Sequence, residues 1–376
     1  MRRWAGVLAG ASCLTSLVVA AGPRVPPAGA AVCRTTAYVA DGGEGKLSTI
    51  DVPTRTPGPD IPMGESTLPS SVAFTPDGRT AFVVLAGTAS VAIVDVATGT
   101  KDPVEIPVGK SPDDVAITPD GKTAFVTNTG DNTVSTIDVA TRTKDPTDIP
   151  VGMAPARLAI TPNGTQAWVA NFGAGSVSTI DVATRTKNPT DIMVGTNPDG
   201  VAFTPDGTTA YVANRNGADP TPDPSKSGKV STIDVATRTK DPTDISGFQH
   251  PAGVAVTPDG KTVFVTDFFS SGGSAYVSTI DTATRTKDPD EIPTGASPIA
   301  VAITSDGVQA YTANLDSGSV TTIDVATRTA LQPDVSVGSG PGDVALAPCG
   351  SAPLSPAPTP PAPAPSPVLI TPTFTG

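Results

Sequence analysis

Histidine occurs once in the 376 residues, at His250. This excludes His-rich metal sites and a haem-attachment C-x-x-C-H pattern. Basic residues are also few, 24 Lys and Arg against 36 Asp and Glu, and the formal charge is −12. A groove for nucleic-acid phosphates is not expected from this balance. No G-x-S-x-G elbow is present, so a lipase-like nucleophile has no support. "DGKT" at 120–123 and 259–262 ends like a phosphate-binding loop, but Ala116 and Ala255 stand where its first glycine belongs. Beyond the N-terminus no run is long and apolar enough to span a membrane, and no stretch keeps a helical period.

Repetition is what the sequence has. "VSTIDVATRTKDPTDI" stands at 134–149 and 230–245, and again at 177–192 with Asn188 replacing an aspartate. "TPDG" begins at Thr75, Thr118, Thr204 and Thr257, with variants at Thr161, Thr304 and Ala347. The seven copies are spaced 43, 43, 43, 53, 47 and 43 residues apart, and a proline lies six residues before each. Each unit reads as four short strands. In 112–151 these are "DVAIT", "TAFVTN", "TVSTIDV" and "TDIPV", separated by Gly, Pro, Asp and Asn turns. In TPDG, proline presets φ and glycine accepts the positive φ that ends the turn. "TRTK" reads as a solvated bend, and the aspartates of "STID" as caps on their own backbone.

Seven four-stranded units of this length predict an all-β, seven-bladed β-propeller with antiparallel blades. The alternative is an elongated solenoid. The first repeat, "CRTTAYVADGGEGKLSTIDV", lacks an inner strand, and the last strand, "DVALAP", stands alone. Pairing the C-terminal strand with the N-terminal blade would close the ring and remove the exposed edge. Cys33 and Cys349 both fall on the aspartate position of the TPDG turn in that shared blade. A disulfide between them is expected; two unrelated thiols are the alternative.

The second strands include "AYVAN" (210–214), "AFVTN" (124–128), "AWVAN" (167–171) and "AYTAN" (310–314). With "TPDG" before and "VSTIDVAT" after, the repeats over 33–350 resemble the YVTN-type β-propeller family. The resemblance implies an exported bacterial or archaeal protein, surface-layer proteins included. Lactonases and quinoproteins are among its fold neighbours. No catalytic motif of those neighbours maps onto this chain.

Residues 1–30 read as a signal peptide: a basic "MRR", an apolar run containing Cys13, and Ala28-Gly29-Ala30 for cleavage. Residues 31–350 form the propeller, and 351–376 a Pro/Ala-rich, disordered tail. The expected localisation is secreted or cell-surface, without a transmembrane segment after signal removal and as a monomer.

Function is sought where the repeat breaks. The two insertions lie between strands two and three of blades five and six, including "NGADPTPDPSKSG" (216–228). The connection between these blades, "ISGFQHP" (245–251), replaces the usual "IPVGKSP" type. Phe248, Gln249, His250, Phe268, Phe269 and Tyr276 thus form a candidate recognition patch. The same face carries the channel mouth, where the residues after the repeated prolines vary. Asp113, Asp114, Asp199 and Asp343 could hold a divalent cation there, with Arg157 among them. No other cofactor is expected. The leading expectation is a non-enzymatic binding scaffold for a protein or cell-surface ligand. A lactonase-like or lyase-like enzyme at the channel mouth is the first alternative, and a structural surface-layer component the second.

Overall fold

The computed structural model describes residues 36–215, 228–268 and 275–348. The signal segment, the tail, Cys33, Cys349, Phe269 and most of the blade-five insertion lie outside them. The described residues form seven antiparallel sheets and no helix.

The middle strands show why the sheets stack into a ring. In blade three, Thr123–Asn128 is buried on both faces from Ala124 onward. A strand between two neighbouring blades has no solvent face, so "AFVTN" reads as a continuous run instead of an alternation. Phe125, Val134 and Ile149 of that blade pack on Leu158, Ala167, Val169 and Ile180 of the next. Similar clusters fill the other gaps between blades. Each inner strand touches the next, and Pro341–Leu346 lies between Pro298–Ile303 and Pro69–Phe74. The circle is closed by chain ends: Pro341–Leu346 pairs with Thr36–Asp41, with Val39 opposite Val344.

The TPDG turns are locked as their residues require. In blade three Asp120 accepts from Thr118 Oγ1 at 2.6 Å and from Lys122 N at 3.1 Å, and Gly121 has φ +71°. The "STID" aspartates cap three residues on: Asp138 Oδ1 accepts from Thr141 N and Thr141 Oγ1, both at 2.8 Å. The outer strand departs from the expected single piece. In six blades it is two short segments, such as Thr143–Lys144 and Ile149–Pro150, both paired with the third strand. Between them Pro146 has no N–H to donate, and Asp145 turns back to cap Thr147 N at 3.1 Å. Only blade seven runs through, as Thr329–Ser336.

"TRTK" is more than a solvated bend. Its arginine sits in the left-handed region, with φ near +55° in six blades. From there it reaches back to the preceding blade. Arg142 pairs with Asp102 at 2.5 Å and Arg285 with Asp241 at 2.5 Å; Arg185 and Arg328 pair likewise with Asp145 and Asp288. Arg55 instead donates to Leu331 O at 2.9 Å. Asn188 breaks this belt. Its position would serve Arg238, which makes no ion pair among the described residues.

Candidate active site

The inner strands aim two rings of residues at the channel mouth. The second residue after each repeated proline is Ser71, Asp114, Arg157, Gly200, Gly253, Ala300 or Asp343. Going round from blade one, four polar residues are followed by three small ones. Gly200 has to be small, because a Cβ there would stand 2.3 Å from Ala252 O. The first residue after each proline adds Ser70, Asp113 and Asp199.

The small side of the ring lets Arg157 cross it. Its Nη2 donates to Gly342 O at 3.0 Å, and its guanidinium lies 3.5 Å from both Asp343 and Asp199. A second guanidinium, Arg215, pairs with Asp199 at 3.0 Å and stacks on the Phe268 ring, 4.4 Å from its centroid. Arg215 Nη2 is buried without a hydrogen bond among the described residues. Arg157, Arg215, Asp113 and Asp199 line a cavity of about 420 Å³ together with Ala156, Phe172 and Ile299.

Burial sets the proton affinities. It pushes Asp114 up to about 7, opposed by Arg157 and reinforced by Asp343. Burial also raises Asp113; Arg157 and Arg215 oppose this, while Asp199 and Asp343 add to it. The Asp113 carboxylate accepts no hydrogen bond from another described residue, so it faces the cavity available for chemistry. Arg157 is held more firmly protonated than usual: burial works against its charge, but the surrounding aspartates outweigh it.

The four aspartates are brought together around Arg157. Among the described residues no three His, Cys, Asp or Glu converge in a metal-holding cluster. Arg157 sits among the acids and supplies the positive charge that a cation would. The aromatic patch is not assembled as expected either. Phe248 is 1% exposed and packs with Tyr211, Val230, Val263, Val265 and Ile280. Tyr276 is also buried, and Lys287 lies over both rings at 5.6 and 5.9 Å. Gln249 is exposed and His250 half-buried; their backbone N–H groups donate to Asp267 at 2.8 and 2.5 Å. Phe268 belongs to the channel mouth, through Arg215. Arg215 itself follows Asn214 at the start of an insertion, and no repeated pattern marks it.

The sequence matches the lactonase, seven-bladed β-propeller family over residues 30–221 and 220–345. No curated protein matches it by sequence. Hydrazine synthase of Kuenenia stuttgartiensis is similar in structure, with TM-score 0.67 and 23% identity over 74% of this chain and 90% of that one. A putative 6-phosphogluconolactonase from Bacteroides uniformis gives TM-score 0.69 and 17% identity, covering 84% and 99%. Virginiamycin B lyase from Staphylococcus aureus gives 0.59 and 13%, covering 73% and 86%. At these identities the structural likenesses speak for the fold alone. The family match points to lactonase-like chemistry and overturns the expectation of a non-enzymatic scaffold. It also replaces the YVTN resemblance as the family assignment, while the propeller itself stands. Since the matched segments span nearly all of the described residues, the chain belongs to the lactonase, seven-bladed β-propeller family.

Proposed function

We propose that the protein is a lactone hydrolase acting at the channel mouth. One observation carries this reading. A chain of the lactonase family places Asp113, a carboxylate without a hydrogen bond among the described residues, in a cavity that two guanidinium groups also line.

The chemistry fits that set. Asp113 takes a proton from a water molecule as the water oxygen adds to the lactone carbonyl carbon. Its raised proton affinity makes it a better base than an exposed aspartate. The carbonyl oxygen gains negative charge, which Arg157 and Arg215 stabilise inside a partly desolvated cavity. The ring C–O bond then breaks, and Asp113 returns its proton to the leaving alkoxide oxygen. The product is the open hydroxy acid. The basic N-terminus and the apolar run after it support export as part of the same reading.

The test is acid release from a panel of γ- and δ-lactones, followed with a pH indicator, with the gain of one water confirmed by mass spectrometry. Turnover is expected, and Asp113→Asn is expected to lower kcat by about 10²–10⁴. A folded protein that opens no lactone above the uncatalysed rate would refute the reading.

A further inference from the structure

Ser71 lies between two carboxylates. Its Oγ is 2.6 Å from Asp114 Oδ1 and 3.1 Å from Asp343 Oδ2. A hydroxyl has one proton to donate, and an ionised carboxylate has none. With both acids ionised, one of the two contacts would be oxygen against oxygen with no proton between. Ser71 is 1% exposed and Asp114 8% exposed, so bulk water does not relieve the conflict. One proton resolves it, and the surroundings say where it sits. Asp343 Oδ2 also accepts from Val72 N at 3.2 Å, and its Oδ1 faces Arg157. Both mark Asp343 as the ionised partner. Asp114 Oδ2 accepts from Leu158 N at 2.8 Å, which leaves Oδ1 to carry the proton.

We propose that Asp114 is a neutral acid that donates to Ser71, which in turn donates to Asp343, and that this chain fixes Asp343 as the anion holding Arg157 over the cavity. Asp114 is thereby a positioning residue. Burial outweighs the groups that oppose its protonation. Asp343 and burial favour the neutral form, Arg157 opposes it, and Thr127 Oγ1 accepts from Asp114 N at 3.0 Å. As pH rises and Asp114 ionises, two anions compete for one hydroxyl proton and for Arg157. The guanidinium then loses its fixed position.

The role in catalysis rests on the lactone-hydrolase reading; the location of the proton does not. Two measurements therefore separate them. Infrared spectra titrated through neutrality are expected to show a protonated-carboxyl C=O band that fades as pH rises and is missing in Asp114→Asn. Ser71→Ala is a second variant, expected to shift that band to the frequency of a carboxyl without an acceptor. A spectrum with no band sensitive to either substitution overturns the proposal. In Asp114→Asn the amide donates to Ser71 and accepts from Leu158 N, so the neutral arrangement becomes permanent. The ratio of kcat/KM at about pH 8.5 to that at about pH 6.5 is expected to rise roughly tenfold over the unsubstituted protein. An unchanged ratio overturns the positioning role. The expected band in a protein that opens no lactone would sink the hydrolase reading and leave the proton assignment standing.

Discussion

Replacing Asp41 with asparagine should stabilise the ring, and by an amount that depends on pH. Asp41 ends the second strand of blade one. Four sister blades carry asparagine at that point: Asn128, Asn171, Asn214 and Asn314. There the amide Nδ2 donates at 2.9 Å to a hydroxyl of the third strand, Ser135, Ser178, Ser231 or Thr321. In three of them Oδ1 also accepts from a glycine N–H at 3.0–3.1 Å. Asp41 keeps the glycine contact, from Gly338 N at 3.2 Å, but its Oδ1 and the Ser48 hydroxyl are buried without a well-formed hydrogen bond. Burial raises its pKa from 3.8 to about 6, with Ser48 and Gly338 only partly offsetting it. A carboxyl shifted upward in the folded state favours folding at low pH. The advantage is complete below the unfolded value and disappears as pH rises through the folded one. The shift corresponds to a ceiling of about 3 kcal/mol. Relaxation around a buried charge brings the expected effect to about 1–2 kcal/mol. Near pH 8 Asp41→Asn should thus exceed the unsubstituted protein by that amount plus the gain from a restored bond to Ser48. Near pH 4 only the gain from a restored bond to Ser48 should remain, about 0.5–1.5 kcal/mol. Urea unfolding at pH values across this range measures the difference. A difference that does not change with pH would refute the reasoning.

Two further substitutions test the frame. Asn188→Asp should supply the missing partner of Arg238 and add about 0.3–1 kcal/mol at low salt, less at high salt; no gain in the low-salt urea midpoint would mean that the arginine belt does not clamp blades. Phe248→Ala should cost about 3–5 kcal/mol, because it empties a filled position between blades five and six; a thermal transition unmoved by the change would return Phe248 to the surface.

The repeat makes most of the fold legible. Spacing set the blade count, and the missing first strand foretold that the last strand completes blade one, where Val39 stands opposite Val344. Phe248 shows where such reading stops. Its neighbours in the other repeats, Val108, Val151 and Val194, pack against core clusters. Phe248 fills the same role one residue later, after Gly247 with φ +99°. A one-residue shift in a strand exchanges its faces, so an aromatic in a broken repeat resembles a surface residue until the register is known. The mouth is marked by the residues that vary after the repeated prolines. That pattern located Asp113, Asp114, Arg157, Asp199 and Asp343 but could not tell a metal cage from an ion-paired one. That Arg157 lies among these acids depends on its reach past three small residues, and reach is a property of the closed ring. Arg215 enters the site from an insertion, where no periodicity constrains it.

Closure by the last strand also sets a timetable for synthesis. The inner edge of Thr36–Asp41 leaves the ribosome early, but its partner, Pro341–Leu346, comes last. At about 5–20 residues per second that edge waits roughly 15–60 s. Six other inner strands emerge in the meantime, each beginning with proline and sharing the repeat's pattern. A nascent chain can therefore close prematurely on fewer blades. Slowing translation between blades one and seven should lengthen the period in which it can do so.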